Sequence, residues 1–105
     1  MRAAVSTVGD SVVVTVDGIV DLAAVATLHD ELARTIRRHP GRTITVDLDA
    51  VGSIDDAGLG VLMGAAATSR DGGGDLVVVC NRPALRTRLD TTRFDRAVDV
   101  RATIA

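Results

Sequence analysis

The sequence predicts an α/β domain with a mixed, mostly parallel sheet, and three observations carry that prediction. Short β-branched runs alternate with stretches of helical period along the 105 residues. The helical stretches are about ten to sixteen residues long, the length a crossover between parallel strands requires. The first two runs instead meet at Gly9-Asp10, a hairpin signal that adds an antiparallel edge. One compact domain over residues 1–105 accounts for the whole length.

Each element has its own signature. Ala3–Val8 and "SVVVTVD" (Ser11–Asp17) read as the two hairpin strands, with Gly18 closing the second. From Asp21 the period lengthens, so that Leu22, Val25, Leu28, Leu32 and Ile36 share one face of a helix. Arg34, Arg37 and Arg38 suit the negative end of its dipole, and His39-Pro40-Gly41 stops it. The next strand lies within Arg42–Val51, where Ile44, Val46 and Leu48 alternate with Thr45 and Asp47. A second helix starts near Asp56 with an apolar stripe of Leu59, Leu62, Met63 and Ala66, and "DGGG" (Asp71–Gly74) ends it. "DLVVVC" (Asp75–Cys80) is apolar on both faces, the pattern of a doubly buried strand. Pro83 suits the first turn of a third helix reaching about Thr91, and Arg96–Val100 is the last strand. The order is β-β-α-β-α-β-α-β.

Composition excludes several functions. Net charge is −2 and Phe94 is the only aromatic residue, so the chain offers neither a basic surface nor a stacking platform for nucleic acid. All twelve basic residues are Arg. Without Lys there is no Schiff base, no phosphate-loop lysine and no receiver-domain lysine, which removes Asp47 and Asp49 as receiver phosphorylation sites. Cys80 is the single cysteine, expected to be buried and inert, and it fits a reducing cytoplasm. His29, His39 and Cys80 lack metal-ligand spacing, so no metal or cofactor is expected. The N-terminal "MRAAVSTVGD" has no apolar signal core, and no run approaches the ~20 residues of a membrane span. A soluble cytoplasmic protein is expected, with no membrane insertion and no small-molecule substrate.

The informative stretch is "VGSIDDAGLGVLMGAAATSRDGGG" (residues 51–74). One Asp at a helix start is an ordinary cap, because its carboxylate accepts free backbone N–H groups. Two acids, Asp55 and Asp56, followed by Gly58 and Gly60 ask for more, since each glycine in a first turn costs roughly 1 kcal/mol against Ala. Such glycines point to close approach, either by the domain's own sheet or by a partner. A dinucleotide fingerprint fails, because after Gly58-x-Gly60 the third glycine belongs at Met63. Ser53 is near the acids, but no His in the same loop could activate it. The arginines of the last third (Arg82, Arg86, Arg88, Arg93, Arg96, Arg101) read as a solvated face.

"VDLDAVGSIDDAGLGVL", "GIVDLAAVATL" and "GGGDLVVVCNRPALRTRLDTTRFDRAVDV" together resemble the STAS domain, and more narrowly the bacterial anti-sigma factor antagonists, from about Val5 to Val100. The resemblance implies a STAS-like single domain, a sheet with an N-terminal antiparallel hairpin and helices packed on it. It also implies a non-enzymatic binding module whose protein partner is a GHKL-type anti-sigma factor kinase. In that family the helix start carries Asp-Ser-Ser-Gly or Asp-Ser/Thr-x-Gly, and the kinase phosphorylates the Ser or Thr after the Asp. Phosphorylation breaks the complex.

Matched position by position, Asp55 is the family Asp, Gly58 the family Gly, and the phospho-acceptor falls on Asp56, with Ala57 at the following Ser. Asp56 is then a partial phosphomimic, since a phosphoserine carries ~1.5 to 2 charges and three acceptor oxygens. Arg93 is a second departure, at a position where the family commonly has Gly. The expected partner surface is Asp21, Leu22, Ser53, Ile54, Asp55, Asp56, Ala57, Gly58, Leu59 and Gly60. Two other readings compete: a STAS subunit bound constitutively in a transport or signalling scaffold complex, and an enzyme using Asp55 and Asp56 as acids. Ser53 is the nearest hydroxyl that could replace Asp56 as phosphosite.

Overall fold

A computed structural model describes residues 1–104. Five strands form one sheet in chain order: β1 (Arg2–Val8), β2 (Ser11–Val20), β3 (Thr43–Ile54), β4 (Asp75–Val79) and β5 (Asp99–Arg101). The β1–β2 pair is antiparallel and the three others are parallel, with Val14 beside Val46 and Val46 beside Val78. Three helices make the crossovers: α1 (Val25–Arg38), α2 (Asp56–Asp71) and α3 (Pro83–Thr91). The predicted class and order of elements are therefore the observed ones.

Apart from Phe94 and Cys80 the core is aliphatic, and each helix turns one face to it. Val12, Val14, Ile44, Val46, Leu76 and Val78, at alternate strand positions, pack with Leu28 and Leu32 of α1, Leu59 and Leu62 of α2, and Leu85 and Leu89 of α3. Burying each such side chain contributes about 1.5–3 kcal/mol. The intervening Val13, Thr45, Val77 and Val79 are buried as well, which accounts for the unbroken apolar run of β4. Cys80, directly after β4, is fully buried, and burial pushes its thiol pKa up.

Five boundaries and faces differ from the sequence reading. β3 does not end by Val51 but runs on to Ile54, paired with the end of β2. β2 does not stop at Gly18: that residue takes a left-handed φ of 89°, the register slips between Gly18 and Ile19, and pairing resumes to Val20. Leu22 does not join the α1 core face. It sits in a 3-10 turn (Leu22–Ala24) that precedes the helix and is 75% exposed. Met63 likewise lies off the buried stripe of α2, which runs through Gly58, Leu59, Leu62, Ala66 and Ser69. The last strand is Asp99–Arg101 rather than Arg96–Val100, because Phe94–Arg96 form a 3-10 turn that places Phe94 and Val98 in the core. That turn is set by Arg93, whose left-handed backbone (φ 61°, ψ 21°) reverses the chain after α3.

Candidate functional site

Parallel pairing of β2 and β3 puts the ends of both strands at the same edge of the sheet. There Ile19 lies opposite Ser53 and Val20 opposite Ile54. The Asp55 N–H donates to the Val20 carbonyl at 3.0 Å, so the ladder continues one step past the sheet and fixes where α2 starts. This register brings Asp21 and Leu22 beside Ser53–Gly60, the two stretches that the sequence reading assigned to one surface.

The two acids have separate roles. Asp55 is the N-cap of α2, in extended conformation, and its Oδ1 accepts the Gly58 N–H at 3.0 Å. Asp56 is the first helical residue and its side chain is 91% exposed. Its Oδ1 takes a 2.8 Å contact from Nη2 of Arg88 on α3. The Arg88 Nε donates to the Ile54 carbonyl at 2.5 Å, so one guanidinium spans the end of β3 and the start of α2.

The glycines divide as well. A Cβ on Gly58 would stand 2.8 Å from Cγ1 of both Val20 and Ile54, inside contact distance, so this glycine answers to the domain's own sheet. For Gly58 the close approach is therefore that of the domain's own sheet, one of the two alternatives the sequence left open. Gly60 meets nothing within 4 Å and is exposed. Of the other assigned residues, Ile54 and Leu59 are buried, Ala57 and Asp55 are half-buried, and Asp21, Leu22 and Ser53 are exposed. Ile54 and Leu59 therefore support the surface from beneath.

Two residues at this edge escaped the sequence reading. Ile19 is 57% exposed and lines a shallow groove with Asp21, Ala24 and Thr27, while Leu22 is 75% exposed on the turn that follows. The sequence held no signal for Ile19 beyond Gly18, because its outward face depends on the register slip between Gly18 and Ile19. Arg88 is the other. The arginines of the last third are not simply a solvated face, because Arg82 donates to the Val51 carbonyl, Arg86 to the Cys80 carbonyl at 3.1 Å, and Arg88 to Ile54. These contacts cross 31, 6 and 34 residues of chain respectively, so no local pattern reveals the two long ones.

Among the described residues no group of His, Cys, Asp or Glu could hold a metal, and no helix is long and apolar enough to cross a membrane. His29 is exposed and lies 3.3 Å from Asp30.

Solved structures share this architecture. An anti-sigma factor antagonist from Mycobacterium paratuberculosis aligns with a TM-score of 0.87 at 23% identity, over 98% of this chain and 86% of that one. The anti-sigma factor antagonist SpoIIAA of Bacillus, in its unphosphorylated form, aligns at 0.77 and 17% identity, over 96% and 89%. A serine-to-glutamate variant of RsbS from Moorella thermoacetica aligns at 0.74 and 21% identity, over 99% and 89%. At these identities the similarity is one of fold. No curated protein matches the sequence. The family model of the STAS domain covers residues 2–105, and the chain belongs to the STAS domain family.

Proposed function

We infer that this chain is a non-enzymatic regulatory module of the anti-sigma factor antagonist type, acting in the cytoplasm. Its partner is a protein, a GHKL-type anti-sigma factor kinase, which docks on the edge formed by Asp21, Leu22, Ser53, Asp55, Asp56, Ala57 and Gly60, with Ile54, Gly58 and Leu59 buried beneath it. The observation that carries this reading is that two exposed apolar residues, Ile19 in the last turn of pairing of β2 and Leu22 just after it, lie at the sheet edge where α2 starts with the exposed Asp56. Apolar side chains rimmed by charge are the composition of a docking patch. The fold shared with SpoIIAA, a protein solved both unphosphorylated and phosphorylated, supports the same reading.

Asp56 stands where the family has its phospho-acceptor. A serine kinase finds no hydroxyl there, and the permanent carboxylate acts as a partial mimic of the phosphorylated, released state. Ser53 is a poor replacement, because it lies in β3 ahead of the helix. The enzyme reading loses support from the geometry: Asp55 is engaged as a cap and Asp56 with Arg88, so the two carboxylates do not face one reaction centre.

Affinity capture from the native cytosol, with the bound proteins identified, tests the proposal. A kinase-like anti-sigma factor supports it. Capture of a transporter or scaffold component instead would assign the chain to the constitutive-subunit class.

A further inference from the structure

Position 56 is not an isolated charge. We propose that Arg88 is a positioning residue for the acid at position 56, holding its carboxylate against α3 so that a partner meets a fixed ion pair rather than a free side chain. The proposal rests on the function inferred above for its meaning, but its geometry belongs to the chain alone. The Arg88 guanidinium is anchored first by its Nε–H to the Ile54 carbonyl, at 2.5 Å. That bond turns Nη2 toward residue 56, where it meets Asp56 Oδ1 at 2.8 Å. Arg88 lies in the last turn of α3, where the negative end of the helix dipole favours a cation, and it is 36% exposed against 91% for Asp56.

Two neighbouring arginines cannot take this role, since Arg82 and Arg86 donate to the Val51 and Cys80 carbonyls. A planar guanidinium can hold a carbonyl and a carboxylate at once through different N–H groups, which a lysine ammonium would do with far less directional control. Only Oδ1 is engaged, so the carboxylate stays accessible while its direction is fixed. Arg88 would therefore set which way the charge at 56 faces, and a partner able to read that charge must accommodate the paired geometry. An exposed ion pair adds little to global stability, so the clamp must be read locally.

The test is the exchange rate of the Arg88 Nε–H proton, followed by ¹⁵N NMR on the full chain in wild type, Asp56→Asn and Asp56→Glu. Asp56→Asn should speed exchange about two- to fivefold, the range an exposed ion pair supports. Asp56→Glu, which restores the charge, should recover most of the protection. Equal rates in wild type and Asp56→Asn would overturn the proposal, leaving Ile54 alone to hold the guanidinium. So would a failure of Glu to restore protection while the amide spectrum shows an intact fold. Capture of a partner is a separate readout, and its failure would remove the inferred function while the exchange difference still decides the clamp.

Discussion

Gly58 lies against Val20 so closely that no side chain fits between α2 and the end of β2. A Cβ there would stand 2.8 Å from Val20 Cγ1 and equally near Ile54 Cγ1. Both neighbours are buried β-branched residues with little rotamer freedom, so they cannot move aside cheaply. Gly58→Ala should destabilise the domain by about 1–3 kcal/mol, the usual cost of overpacking. Gly60, with nothing within 4 Å, should behave oppositely. Gly60→Ala should gain about 0.5–1 kcal/mol from helix propensity, and Gly60→Leu should stay folded while weakening partner binding strongly. Urea unfolding of the three variants checks this. Collapse of Gly60→Leu would show that Gly60 also serves internal packing.

This contrast shows what the sequence could and could not say. Periodic burial made β2, β3 and the helices legible and an unbroken apolar run revealed β4, whereas β5 was expected three residues early because the 3-10 turn Phe94–Arg96 has no period of its own. The meaning of each glycine was hidden, since Gly58 and Gly60 look alike in sequence and differ only in what stands over them. The pairing of Arg88 with Asp56 was equally hidden, as 32 residues separate the partners. The surface residues Asp21 and Leu22 were placed beside Asp56 by resemblance rather than by pattern, and the β2–β3 register supplies the physical reason. Leu22 itself was given to a core face because its spacing fits one, but the 3-10 turn that precedes α1 rotates it outward.

Arg93 adopts the left-handed conformation that suits glycine, with φ 61°. A non-glycine residue pays roughly 1–2 kcal/mol of steric strain there. Arg93→Gly should raise stability by up to about 1 kcal/mol, since relief of strain is partly offset by the greater freedom of glycine in the unfolded chain. Thermal denaturation decides it. A lower melting temperature would mean that the Arg93 side chain makes a favourable contact outweighing its backbone strain.

Cys80 should be silent in the folded protein. Burial raises its thiol pKa, so the neutral form is favoured in the native state. The sign for stability follows: the contribution is fully present below the unfolded thiol's value, near 8.5, and declines as pH rises above it because only the unfolded chain ionises readily. Labelling by a thiol reagent at neutral pH should be slow, and it should accelerate together with unfolding in urea. Rapid labelling of native protein would show an opening beside β4 that a fully buried side chain does not provide.

The charge at position 56 carries the functional proposal, and three variants isolate it. Asp56→Ser removes a carboxylate that does not cap the helix, since Asp55 makes that bond to Gly58. It also releases the exposed pair with Arg88, so stability should change by no more than about 1 kcal/mol. Binding should respond more. A docking partner that covers the helix start must strip water from Asp56, with a single exposed arginine as compensation, and such burial of an incompletely paired charge costs several kcal/mol. Each 1.4 kcal/mol is about tenfold in affinity. Asp56→Ser should therefore bind an anti-sigma factor kinase at least about tenfold more tightly than wild type and accept phosphate from ATP. Asp56→Asn should gain binding without phosphorylation, and wild type should take no phosphate at residue 56. Isothermal titration of all three proteins against one kinase, with phosphopeptide mapping, checks each outcome. Stoichiometric phosphate on Ser53 would mean that the switch has moved three residues upstream. Wild-type binding as tight as that of the Ser variant would make Asp56 a positive contact, met by a cation on the partner in addition to Arg88.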